Sequence, residues 1–154
     1  MKFLTPYLAA LLLLTPALRA ADPAPARPAG RFQLGPWEDD IGYRQAVRTG
    51  NTLYISGSVG KGAMPDAIRQ AYATLQKTLA HYGLTFADVV KENIYTTDLD
   101  ALKANLAVRR AFYGQEFPAA TWVQVSRLYD ASHVIEVELV AGFPAAGAPA
   151  ATKP

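Results

Sequence analysis

The 154-residue sequence predicts a single α+β domain in which one sheet carries two helices on one face, and three stretches support this. Residues 117–141 read FPAATWVQVSRLYDASHVIEVELVA, with alternating runs at 121–125 and 134–140 on either side of a polar connector. That pattern predicts an antiparallel strand pair in the middle of the sheet. Ile68, Tyr72, Leu75, Leu79 and Tyr82 recur at helical spacing between the opening Pro65-Asp66 and the stop at Gly83. Leu99, Leu102, Leu106 and Tyr113 do the same between an Asp98 cap and Gly114.

Taken in order, residues 1–20 have a basic start at Lys2, an apolar run at 7–14 and a small-residue end, the pattern of a secretory signal peptide. The expected location is therefore periplasmic or secreted. Residues 21–31 and 144–154 are rich in Ala and Pro without an apolar period and read as disordered linker and tail, leaving 32–143 as the domain. An acidic group, Glu38, Asp39 and Asp40, sits in the loop that opens this domain. Strand-like runs at 43–47 and 52–56 meet through Thr49-Gly50-Asn51, a tight hairpin connection. Ser56-Gly57-Ser58-Val59-Gly60-Lys61-Gly62 reads as a flexible loop leaving the sheet, and 89–97 as a further strand. The order is β-β-α-β-α-β-β. Right-handed crossovers place both helices on one sheet face. The opposite face then carries Trp122, Tyr54 or Ile55, and Tyr95 or Ile94, an apolar patch that implies association.

Composition excludes several chemistries. Removing Lys2 and Arg19 with the signal leaves 15 − 2 = 13 basic residues against 13 acidic ones, so net charge offers nothing to nucleic acid or anionic lipid. There are no cysteines, hence no disulfide frame and no thiolate chemistry. Gly57, Gly60 and Gly62 lack P-loop spacing, and no Gly-x-Ser-x-Gly elbow is present to make Ser56 or Ser58 a nucleophile. His81 and His133 lack metal-ligand spacing and read as surface residues, so no metal and no cofactor are expected. In the last strand Ile135, Val137 and Leu139 share one face, and Glu136 and Glu138 the other. Paired carboxylates of this kind ordinarily mark a solvated surface.

The motifs give Glu136 another reading. Gly42-Tyr43-x-Gln45-Ala46-Val47, Gly50-Asn51-Thr52-Leu53-Tyr54-Ile55-Ser56-Gly57, Asp88-Val89-Val90-Lys91 with Tyr95-x-Thr97-Asp98, Phe117-Pro118-Ala119 and Ile135-Glu136-Val137-Glu138 stand in the order found in the RidA (YjgF-like) family, which the chain resembles over residues 42–142. The resemblance implies a chorismate-mutase-like fold, a homotrimer with ligand clefts between subunits, and cofactor-free hydrolysis of imines and enamines such as 2-iminobutanoate and 2-iminopropanoate. It also implies that Tyr43 and Gly57 line the cleft, that the Ala120-Thr121 segment binds substrate, and that Glu136 positions or activates water. One departure is large: deaminase members follow Phe-Pro-Ala with an arginine that clamps the substrate carboxylate, and here that place is Ala120. Arg44 and Arg127 are the candidate replacements, and either Asn105 or Leu106 takes the place of a pocket asparagine. Two functions follow: imine hydrolysis at Glu136, or a non-catalytic periplasmic binding or scaffold trimer.

Overall fold

The computed structural model describes residues 30–144, so the expected signal peptide, nearly all of the linker and the tail beyond residue 144 lie outside the described residues. Six strands form one sheet: β1 (Arg31–Phe32), β2 (Ala46–Thr49), β3 (Thr52–Lys61), β4 (Val89–Thr96), β5 (Ala119–Gln124) and β6 (His133–Gly142), in the spatial order β1-β2-β3-β6-β4-β5. The helices are α1 (Trp37–Asp40), α2 (Met64–His81), α3 (Leu99–Ala104) and α4 (Leu106–Tyr113). A chorismate-mutase-like α+β sheet is thus observed, with β1 and α1 added. Arg31, expected in the linker, is a strand residue paired with Val47.

Residues 121–125 and 134–140 do not form the antiparallel pair that their alternation suggested. The helical crossovers lay β4 parallel to β3 with a gap between them, and β5 parallel to β4; β6 then fills the gap antiparallel to both β3 and β4. The connector at 125–132 is long enough to pass β4, a step of about 9.6 Å at two strand spacings. Alternation fixes which face a side chain takes, but not which strand lies alongside.

The loop expected at 56–62 is also strand. β3 continues through it to Lys61, bending at a bulge where Ser56 and Gly57 together oppose Glu138. Its glycines serve close approach: a Cβ on Gly60 would lie 2.0 Å from the backbone oxygen of Ala67 in α2. Gly50 does match its expected role, with φ of +55° in the turn where Thr49 pairs Thr52.

Ile135, Val137, Leu139 and Ala141 are buried beneath α2, together with Leu53, Ile55 and Ile94. The second expected helix is two helices, broken at Asn105, whose side-chain amide donates to the carbonyl of Ala101 at 2.9 Å. Trp122 lies on the helix side rather than on the bare face, because β5 runs in register with β4 and Ile94 is its partner.

Beneath α4 the carboxylate of Glu92 is wholly buried. Tyr72 and Tyr113 hydroxyls donate to Oε2 at 2.6 and 2.7 Å, while Arg109 Nε and Trp122 Nε1 donate to Oε1 at 2.8 and 3.2 Å. Burial opposes the Arg109 charge, but the Glu92 carboxylate overrides it and the guanidinium pKa is raised. The four donors tie α2, α4 and β5 to β4. Removing one partner of such a pair leaves an uncompensated buried charge. We expect Arg109→Ala to lower unfolding free energy by about 3–5 kcal/mol in chemical denaturation. A loss below about 1 kcal/mol would contradict this account of the network.

Candidate active site

The alternation of β6 directs Glu136 away from the helices, and the β3 bulge turns Gly57 toward it. A Cβ built on Gly57 would lie 1.9 Å from Glu136 Oε1 and 2.7 Å from its Cδ, so the carboxyl group occupies the space a side chain would need. On the other side of Gly57, the Tyr43 hydroxyl donates to the Gly57 carbonyl at 2.9 Å. Tyr43, Gly57 and Glu136 therefore come together in one corner of the protomer.

Short-range bonds fix this corner. Glu38 is fully buried and accepts the backbone N–H groups of Leu34 at 2.7 Å and Gln45 at 2.8 Å, one on each side of α1. The Tyr43 N–H donates to the Glu38 carbonyl at 2.8 Å, and the Tyr43 ring stacks on Trp37 with centroids 5.7 Å apart. Arg44, one of the candidate replacement cations, pairs with Asp39 at 2.5 Å and donates to the Tyr43 carbonyl at 2.6 Å.

Burial, reinforced by the neighbouring Glu138 carboxylate and opposed by His133, raises the Glu136 pKa above its ordinary value. The Tyr43 phenol is pushed up to about 12, first by burial, with the Ser56 hydrogen bond opposing and the Glu38 and Glu136 carboxylates adding. It is a neutral donor across the physiological range. Glu138 is held apart from this work, accepting Asn93 Nδ2 at 2.6 Å and the Tyr95 hydroxyl at 3.1 Å.

Ala120 and Thr121 are elsewhere in the protomer. Both lie on edge strand β5, separated from β6 by β4; Ala120 pairs with Glu92 and Thr121 with Asn93. The Thr121 hydroxyl accepts from Lys91 Nζ at 2.7 Å. Leu106, rather than Asn105, lines a recess of about 220 Å³ with Arg109, Arg110, Phe117 and Trp122. His81 is exposed and stacks on Phe32, whereas His133 is half-buried, its Nδ1 enclosed without a hydrogen-bond partner among the described residues, contrary to the surface position expected. Among the described residues, no group of three or more His, Cys, Asp or Glu side chains is arranged to hold a metal ion.

Sequence reasoning missed Glu38, Trp37 and the Glu92–Arg109 pair. Glu38 hides in a run of acids that reads as part of the opening loop. Glu92 left a usable signal: it shares strand parity with the inward Ile94, so a buried carboxylate there required donors.

The ionised form of Glu136 is disfavoured in the folded protein, so the stability this group contributes is present at low pH and is lost as pH rises through its raised pKa. We expect the side-chain ¹³C resonance of Glu136 to titrate with a midpoint above the ordinary 4.5, and Glu138→Gln to bring it down by removing a like charge. A wild-type midpoint at or below the ordinary value would contradict the burial described.

Residues 38–143 match the family model described as Endoribonuclease L-PSP. The chain is similar to the 2-iminobutanoate/2-iminopropanoate deaminase of Dermatophagoides farinae, 33% identical over 95 residues that span 56% of this chain and 74% of that protein. The human protein of the same name is 30% identical over 108 residues, 64% of this chain and 78% of the other. Among solved structures, Rv2704 of Mycobacterium tuberculosis, a member of the YjgF/YER057c/UK114 family, superposes with a TM-score of 0.68 at 29% identity, covering 73% of this chain and 97% of that one. The yjgF gene product of E. coli gives 0.62 at 26% identity, covering 73% and 92%. The motifs in their order, the sheet that carries them and the match across residues 38–143 agree, and the chain belongs to the RidA (YjgF) family.

Proposed function

We propose that this protein hydrolyses the C=N bond of imines, or of enamines after tautomerisation, in a cleft completed between the subunits of a homotrimer. The observation that carries the reading is the seating of Glu136 against Gly57, with Tyr43 bonded to the same residue. A carboxylate with a raised pKa is suited to take a proton from a bound water. Water adds to the imine carbon while the nitrogen gains a proton, and the resulting carbinolamine loses ammonia to leave a carbonyl compound. The balance is one imine and one water to one carbonyl and one ammonia, with no oxidant or cofactor. Relatives named as 2-iminobutanoate/2-iminopropanoate deaminases support the reaction class.

The trimer rests on what the protomer leaves open. Tyr54, Val90 and Val123 are 53%, 57% and 39% exposed, and β5 is the last strand of the sheet. Ala120 and Thr121 on that edge reach a Glu136 site only if subunits meet there. The leader-like residues 1–20 extend the proposal to a periplasmic or secreted location. The family description names an endoribonuclease, yet the carboxylates of Glu136 and Glu138 beside Gly57 do not suit a polyanion.

Ala120 favours a second reading, a non-catalytic trimer that binds a small ligand in the same cleft. Loss of a carboxylate-binding guanidinium costs on the order of 2–5 kcal/mol, so α-imino acids are poor ligands for the wild-type site. Two measurements decide. Light scattering at micromolar concentration is expected to give a trimer mass, and a monomer would remove the cleft. Ammonia release from enzymatically generated 2-iminobutanoate is expected to rise at least about tenfold in Ala120→Arg, whose rigid fork suits a carboxylate. If Ala120→Arg assembles normally and stays at the solvent rate, the binding reading replaces the hydrolase.

A further inference from the structure

We propose that the stacked pair Trp37 and Tyr43 is a substrate-selecting platform, and that the site takes neutral or cationic imines bearing a planar aromatic substituent in preference to α-imino acids. The inference rests on the hydrolytic reading of Glu136 and adds the class of substrate.

Trp37 is half exposed, at 50%, yet it is held firmly. Its ring lies at 25° to that of Tyr43 with centroids 5.7 Å apart. Gly35 makes room for it: a Cβ there would stand 3.0 Å from Trp37 Cδ1 and 3.1 Å from Nε1. The adjoining Glu38 anchors α1 from both sides through Leu34 and Gln45, and its carbonyl takes the Tyr43 N–H. An aromatic surface left in water but locked in orientation is organised to stack on a ligand. Tyr43 links it to the chemistry through the Gly57 carbonyl, against which Glu136 rests.

Charge points the same way. The cation beside Tyr43, Arg44, is committed to Asp39 and to the Tyr43 carbonyl, and position 120 carries none. The charged groups acting on Glu136 are Glu138 and His133. A ligand carboxylate would meet carboxylates, whereas a protonated imine, the form that water attacks most readily, is attracted by Glu136 and by the indole face. A ring attached to the imine carbon extends this contact toward Trp37.

Benzamidine is a stable aryl mimic of such an iminium, acetamidine is its alkyl counterpart, and 2-oxobutanoate presents the carboxylate instead. Titration calorimetry of the purified protein is expected to show benzamidine binding at least about tenfold tighter than acetamidine, with 2-oxobutanoate weakest. Trp37→Ala and Trp37→Leu should both bring the two amidines within about twofold of each other, while Trp37→Phe keeps most of the preference. Glu136→Gln should weaken both amidines and leave their ratio intact. An amidine ratio that survives Trp37→Ala and Trp37→Leu, equal binding of the amidines to the wild type, or tighter binding of 2-oxobutanoate overturns the platform. Amidine binding that ignores Glu136→Gln counts instead against the hydrolytic centre, so the two failures are told apart.

Discussion

The structure depends on one strand having a neighbour on each side. β6 is bonded to β3 on one edge and β4 on the other, which leaves its side chains only the two faces of the sheet. Ile135, Val137, Leu139 and Ala141 take the face beneath the helices, and Glu136 and Glu138 must take the other. A slip of one residue would exchange the sets, burying two carboxylates in an apolar layer and exposing the core of the domain. The register that makes the fold is thus also what delivers Glu136 to the site.

The opposing strand supplies the second half of the arrangement by omission. Gly57 and Gly60 are three residues apart in β3, and each clears space for something different: the first for the Glu136 carboxyl, the second for the backbone of α2. Neither has a positive φ, so conformational freedom is not what these positions require. A glycine-rich segment read as a flexible loop is, in this fold, a strand in which Gly57 and Gly60 are closely approached by their neighbours. Three of the buried or half-buried carboxylates likewise do different work. Glu38 ties two loop amides around α1, Glu92 gathers side-chain donors from three elements, and Glu136 has no such donors among the described residues, which suits it to proton transfer.

How much of this was legible in the sequence follows from what each signal encodes. The stripe through Ile68, Tyr72, Leu75 and Leu79 is set by helical period, and it is the buried face of α2. The alternation at 134–140 gave the faces of β6 correctly. Strand order was hidden because the pairing of β4 with β5, and of β6 with β3, is decided by crossovers and packing between distant segments. Trp122 was misplaced for the same reason. Tyr43, Gly57 and Glu136 are singled out by the motifs of the family, and the structure brings these three together. Ala120 and Thr121 are singled out the same way, but they lie on a different strand, where only a second subunit would bring them to a Glu136.

The central claim is that the Glu136 carboxylate acts on water at a bound C=N group. Its most direct test follows carbonyl formation from an aryl imine, generated in situ by oxidation of the parent amine, with wild-type protein, with Glu136→Gln and with solvent alone. The account predicts a wild-type rate above solvent and a Glu136→Gln rate indistinguishable from solvent, with an unfolding midpoint at least as high as wild type because a destabilised charge has been removed. Turnover retained by Glu136→Gln, or a wild-type rate that never exceeds solvent, would contradict it.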